Sequence, residues 1–166
     1  MSDNTQEKKV AKDQPSRLFV FNGGFVTNRR LRAIVSGAGY QIKLGRPTAK
    51  DNVAVWGHSP TAHRGEAAAA KTNAGIIRIE DAFLRSLFPG RSGEPPLGIV
   101  IDKTGIYFDA SSPSDLENML KTHPFDDAVL LKRAREGMYR MQAAHLSKYC
   151  ATSLTAPLPY AGYVLV

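Results

Sequence analysis

Two adjacent carboxylates, Glu80 and Asp81, end an apolar run of Ile76, Ile77 and Ile79, and Ala82, Phe83, Leu84, Arg85 and Ser86 follow. A carboxylate held rigidly can serve as a nucleophile or a general base. The apolar run has the composition of a buried strand. Open α/β sheets place their ligands at the C-terminal ends of such strands. The apolar neighbours argue against a merely solvated pair of charges; the competing reading is a turn or cap. Arg85, four residues on, has the sign needed to hold an acid in its charged form. As an exposed ion pair it would contribute little. Neighbours at a strand end need not point the same way, so one carboxylate can face a cleft while the other orients a partner.

Trp56, Gly57 and His58 form a second constellation. Gly57 lets the backbone approach a ligand closely. His58 can donate to a phosphate or carboxylate, or act as acid or base near neutral pH. His63 follows, but the two do not make an HExxH pair, and no third ligand matches, so no metal site is expected. Asp102, Tyr107 and Asp109 surround a turn, with Asp102 read as the turn former. Ser111, Ser112 and Ser114 precede a helix, where capping and anion binding are equally open readings. Cys150 has no evident activating partner.

These groups need elements to position them. Arg17 to Phe21 reads as a first strand, followed by an Asn22-Gly23-Gly24 loop and helical spacing from Phe25 to Val35. Strand, glycine turn and helix open a nucleotide-binding unit, although the third fingerprint glycine and a P-loop lysine are missing. A second strand is expected in YQIKLGR and a third over Val53 to Trp56. Ser59-Pro60 then starts a helix to Lys71, and Asn73 to Gly75 ends it. The central strand is Ile76 to Ile79. Leu97 to Ile101 and Ile106 to Phe108 read as a hairpin across the Asp102-Lys103-Thr104-Gly105 turn. A helix opens at Ser112 or Ser114, and a longer one runs from Asp126 or Asp127 to about Tyr149. The alternation of apolar strands with helices predicts an α/β fold, an open sheet with flanking helices.

The 166 residues suffice for a domain with a core. Residues 1–16 read as a disordered polar tail, 17–155 as the folded domain, and 156–166 as a linker and the first strand of another domain. The apolar GYVLV ending suggests a piece of a longer protein; the alternative is a last strand that closes the sheet. MSDNTQEKK lacks the apolar core of a secretory signal, and no stretch reaches transmembrane length. One cysteine excludes an internal disulfide. The net charge of +7 favours anionic partners. The arginines of the last helix are spread around it, so no nucleic-acid stripe is read.

WGHSP, then IEDAFLRS, then PPLGIVIDKTGIYFDASSPSDLENML and LSKYC together resemble the capsular polysaccharide β-Kdo glycosyltransferases, over roughly Val53 to Val166. The resemblance implies two Rossmann-like domains, of which this would be the N-terminal half. It implies retaining transfer of Kdo from the donor CMP-β-Kdo, with no further cofactor, to a lipid-linked acceptor glycan. The setting it implies is the cytoplasm, peripheral to an anionic inner-membrane surface. Expected partners are capsule export machinery or a separate C-terminal half. In the family the stretch is usually EDGFLRS, and its aspartate is taken as the nucleophile, a role that falls on Asp81. Glu80 becomes its active-site neighbour. Trp56, Gly57, His58, Arg85, Ser86, Tyr107 and Asp109 become substrate-binding candidates. Ala82 stands where the family has glycine, and it would strain the loop if that position needs positive φ. Cys150 stands where the family has asparagine. A non-catalytic partner in capsule assembly and a small phosphate- or nucleotide-binding α/β protein are the alternatives.

Overall fold

A computed structural model describes residues 14–148, 153, 155–157 and 160–162. The expected tail up to residue 13, Cys150, and the GYVLV strand from residue 163 lie outside the described residues. The chain divides into two compact units between Ile77 and Arg78, within the fourth strand. Strands β1 (Ser16–Val20), β2 (Tyr40–Lys43), β3 (Asn52–Trp56), β4 (Gly75–Asp81) and β5 (Ile99–Asp102) are hydrogen-bonded in the order β2-β1-β3-β4-β5.

In the first unit β1 runs parallel to both β2 and β3. Parallel neighbours need crossovers. The β1–β2 crossover carries α1 (Gly24–Thr27) and α2 (Arg29–Gly37), and the β3–β4 crossover carries α3 (Ala62–Thr72). The sequence predicts one helix from Phe25 to Val35; the structure has two. Asn28 leaves the helical region at φ −80°, ψ 104°, and its side chain caps α2 by accepting from the Leu31 amide. The apolar period continues across this break, so periodicity does not reveal it. Leu31 and Val35 are buried on one face of α2. Phe19, Val53 and Ala69 form a core with Phe21, Ala74 and Ile76 packed on it. Helix α3 ends at Asn73, left-handed at φ 54°, as expected. Its N-cap is Thr61, without a side-chain cap bond, where Ser59 was expected.

Close packing of α3 on β3 depends on Gly65. A methyl added there would lie 2.6 Å from Val55 Cγ1 and 3.2 Å from Val53 Cγ1. Alanine at a helix interior gains about 1 kcal/mol of intrinsic preference, but overpacking costs about 1–3 kcal/mol. Gly65→Ala is therefore expected to destabilise the protein by about 1 kcal/mol in urea unfolding. A rise in stability would show that the helix–strand spacing is slack.

Asp51, just before β3, is buried and collects bonds from three groups. Thr48 donates its hydroxyl and its amide, each at 2.7 Å, and Arg17 pairs with it at 2.7 Å. The Thr48 hydroxyl, opposed by burial and helped by the Thr48 amide and Arg17, holds the Asp51 carboxyl below its ordinary value. The unfolded chain therefore binds the proton first as pH falls. The stability this carboxylate contributes is present above the ordinary carboxylate range and lost as pH drops through the lowered folded value. Thr48→Val is expected to lower stability near pH 7 and to converge with the parent at acid pH, as read by urea unfolding across that range. Parallel curves at every pH would contradict this.

In the second unit the rest of β4 pairs antiparallel with β5, placing Asp81 opposite Ile99 and Glu80 opposite Val100. The expected hairpin is absent: Ile106 to Phe108 form a turn, not a strand. Asp102 is the reason. It is 1% exposed, and its Oδ1 accepts the amides of Thr104 at 3.0 Å and Gly105 at 2.7 Å, while Oδ2 accepts the amide of Asp115 at 3.0 Å. These bonds wind the chain back onto the start of α4 (Asp115–Thr122), capped by Ser114 at the Glu117 amide. The last helix, α5 (Ala128–Ala143), is capped by Asp127 and ends before the expected Tyr149. Neither α4 nor α5 buries a residue. Among the described residues, no helix is long and apolar enough to cross a membrane.

Candidate active site

Glu80 and Asp81 are the last two residues of β4, so the pleat sends their side chains to opposite faces. Glu80 curls back, its Oε1 accepting the Asp81 amide at 2.9 Å. The Asp81 carboxylate meets Arg85, whose Nε donates to both oxygens at 3.1 Å. This pair is not a surface ion pair: side-chain exposure is 8% for Arg85 and 14% for Asp81. A partly buried carboxylate is tolerated when a charged donor and fixed geometry accompany it.

Arg85 is itself held from several directions. Its Nη1 donates at 2.6 Å to Ser86 Oγ and to the Glu94 carbonyl, and Ser86 Oγ donates to the Phe88 carbonyl at 2.6 Å. The amides of Arg85 and Ser86 donate to the Lys148 carbonyl at 3.3 and 3.4 Å, and the Leu97 amide donates to the Arg85 carbonyl at 2.8 Å. A side chain at Gly90 would run into the Arg85 guanidinium. The arginine is thus a fixed strut that sets the position of Asp81. Tyr107 adds a bond from its hydroxyl to the Asp81 carbonyl at 3.3 Å, which ties the strand end to the 103–114 loop. Asp109 shapes that loop by accepting the Ser111 amide at 2.9 Å. The structure therefore brings together Glu80, Asp81, Arg85, Ser86 and Tyr107. Lys148 in the KYC stretch enters through its backbone carbonyl, a role its side chain does not advertise.

Ala82 does not carry the expected strain. The non-glycine residues with positive φ among those described are Asn73, Phe125 and His145. The position accommodates alanine with ordinary dihedrals, and its methyl sits beside Gly98. The apolar residues after the acids are not uniformly buried either: Phe83 is 69% exposed.

In the first unit, Trp56 and Gly57 close β3. Trp56 packs its ring 6.0 Å from Phe25. Gly57 adopts φ 40°, a conformation that disfavours a Cβ. His58 is exposed in the following turn. In the order β2-β1-β3 the chain switches direction of progress between β1 and β3, and the crevice at the C-terminal ends of such strands is where α/β sheets receive ligands. The Asn22-Gly23-Gly24 loop and the Trp56-Gly57-His58 turn are the two loops at this point. Asn22 Nδ2 donates to Thr61 Oγ1 at 2.8 Å, fastening the β1 loop to the start of α3. Asn22 and Thr61 were not singled out by sequence; an asparagine directly after a first strand was the available signal.

Residues 51–164 match the model of the capsule polysaccharide biosynthesis protein family. The chain belongs to that family. Both carboxylates, the Trp56-Gly57 turn and the Asp102 loop lie inside the matched stretch. Among its relatives, the capsule polysaccharide modification protein LipA of Neisseria meningitidis serogroup A is 43% identical over 94 residues, which are 57% of this chain and 13% of LipA. The lipopolysaccharide-processing protein LpsZ of Rhizobium meliloti is 43% identical over 82 residues, 49% of this chain and 19% of LpsZ. The solved β-Kdo 2,4 transferase of Thermosulfurimonas dismutans KpsC superposes with a TM-score of 0.75 at 26% identity, over 90% of this chain and 46% of that one. The β-Kdo 2,7 transferase of the same KpsC, at 22% identity and a TM-score of 0.52, shares the fold. The capsule-family chain thus spans under half of the solved transferase and under a fifth of the curated relatives it matches. The fold is mixed α/β, that of one half of a KpsC-like transferase.

Proposed function

We propose that this chain supplies the nucleophile-bearing half of a retaining Kdo transferase that takes Kdo from CMP-β-Kdo. The observation that carries the reading is Asp81, set at a strand end with its carboxylate fixed by a nearly buried arginine, in a capsule-family chain with the fold of a Kdo transferase half.

In this reading an Asp81 oxygen attacks the anomeric carbon of Kdo, and the bond to the CMP phosphate breaks with its electron pair leaving on CMP. An acceptor hydroxyl then attacks the same carbon and releases its proton to solvent, while Glu80, on the opposite face of the strand, holds the Asp81 amide in place. The bond to Asp81 breaks and the carboxylate returns. Two inversions give net retention. Arg85 positions the nucleophile and offsets part of the repulsion between Asp81 and the sugar's own carboxylate. Ser86 and Tyr107, in the unit that carries Asp81, are the groups proposed to shape the surroundings of the sugar, with Asp109 setting the loop; Trp56, Gly57 and His58 are proposed substrate-binding groups of the first unit.

The acceptor is proposed to be a lipid-linked glycan. Support comes from the unit that carries Asp81, which exposes Phe83, Phe88 and Leu97 by half or more; exposed apolar side chains of this size suit an amphiphilic partner. The +7 charge suits an anionic donor and a peripheral position on the cytoplasmic face of an anionic membrane. CMP binding is proposed to require the complementary half of the module, on the same or another polypeptide, and capsule export components are proposed neighbours.

The test is transfer from CMP-Kdo to a synthetic lipid-linked acceptor by this chain combined with the complementary half of a KpsC-type module. Transfer that needs both polypeptides supports the reading. Undiminished transfer by the complementary half without this chain would overturn it.

A further inference from the structure

A groove of about 490 Å³ lies between α2 and β2, and none of the site residues assigned above lines it. Its size is that of a small-molecule site. Arg29, Arg32 and Ser36 line it from α2, at the spacing of one helix face. Tyr40, Gln41 and Ile42 line it from β2. Three consecutive residues of a strand point to alternate faces, so a groove touching all three must follow the strand's edge. Among the described residues that edge is the open end of the strand order, where peptide N–H and C=O groups have no neighbouring strand to pair with.

The charge of the groove is one-sided. No carboxylate lines it. The first turn of α2 holds Arg29 and Arg30 and no acid, an arrangement opposed to the helix dipole, which favours negative charge at that end. An anion in the groove would satisfy both the arginines and the dipole. Guanidinium groups bind carboxylates through paired hydrogen bonds. Tyr40 offers an aromatic face, while Ser36, Gln41 and the strand edge offer donors and acceptors to hydroxyls. Cations, an aromatic ring and neutral hydrogen-bonding groups along one trench match a polyhydroxylated chain bearing carboxylates better than a bare phosphate. They also match it better than an apolar peptide.

We propose that the α2–β2 groove binds an acidic oligosaccharide, the growing glycan on which the transferase acts. Its assignment as an acceptor rests on the Kdo-transferase reading; the binding itself does not. The probe is oligosialic acid, whose sugars carry carboxylates at the anomeric carbon, titrated by calorimetry into the full 166-residue chain. Its carboxyl-reduced form, inorganic phosphate and phosphatidylglycerol vesicles serve as comparisons. Saturable 1:1 binding of the acidic oligomer is expected. Arg29→Ala combined with Arg32→Ala should weaken it by at least about tenfold, with partial recovery when lysines replace the two arginines. Arg91→Ala, outside the groove, should leave it unchanged. Both groove arginines are exposed, and thermal unfolding of the double variant verifies that its fold is kept. Equal binding of the reduced oligomer, no saturable binding, or indifference to the double substitution would overturn the proposal. So would arginine-dependent binding of vesicles or phosphate without binding of the oligomer. Transfer and oligomer binding are read in separate assays, so failure of the transferase reading and failure of the groove proposal are distinguishable results.

Discussion

Asp81→Asn, in a protein that carries the complementary half of the module, is expected to abolish Kdo transfer while the fold survives. The side chain is nearly isosteric, and one oxygen remains to accept from Arg85, whose Nε now reaches both oxygens at 3.1 Å. What is lost is the negative charge and the nucleophilic oxygen. The effect should fall on turnover, on the order of 10²-fold or more, with much less change in donor binding. Glu80→Gln should be milder. Its Oε1 accepts the Asp81 amide, and glutamine keeps an acceptor there, so positioning largely persists while charge is lost. Initial rates with CMP-Kdo, alongside circular dichroism of each variant, make the comparison. Equal losses in the two variants would indicate a shared electrostatic role in place of a single nucleophile.

Asp102→Ala is expected to have the largest effect on stability. The carboxylate is 1% exposed and satisfies the amides of Thr104, Gly105 and Asp115. Alanine would leave those donors without their acceptor in a buried place, and each such group costs about 1–3 kcal/mol. A loss of about 3 kcal/mol corresponds to a fall in Tm on the order of 10 °C for a chain of this size. Gly105 cannot relieve the defect by moving inward, because it already packs against the Pro113 carbonyl. The same loop carries Tyr107, whose hydroxyl reaches the Asp81 carbonyl, so the variant should also lose transfer at temperatures where it remains folded. A Tm within about 2 °C of the parent would mean that solvent replaces the carboxylate at little cost.

The parts legible in the sequence were those governed by local pattern. β4 was visible as an apolar run, the end of α3 as Asn73, and the caps of α4 and α5 to within a pair each, Ser112 or Ser114 and Asp126 or Asp127, of which the structure uses Ser114 and Asp127. Where tertiary bonds overrode pattern, the reading failed. Ile106 to Phe108 has the composition of a strand, yet Asp102 takes the Thr104 and Gly105 amides that a hairpin would direct elsewhere. Periodicity in α5 correctly gave a helix and said nothing of its burial, since an apolar stripe is the same whether or not a neighbour covers it. At the site, Asp81 and Arg85 were readable as an i,i+4 pair. The near-complete burial of Arg85 was not, because it depends on Glu94, Gly90 and the Lys148 carbonyl, up to 63 positions away in sequence. The acceptance of alanine at position 82 likewise required the backbone: a glycine in related sequences does not by itself specify positive φ.

The account turns on Asp81 as the atom that bonds to the sugar. The most direct measurement is intact-mass analysis, followed by peptide mapping, of this chain with its complementary half, trapped during turnover of CMP-Kdo without acceptor. A single Kdo adduct on Asp81, absent from Asp81→Asn and discharged by adding acceptor, is the predicted result. An adduct mapped to another residue, or full transfer activity in the Asp81→Asn protein, would contradict it.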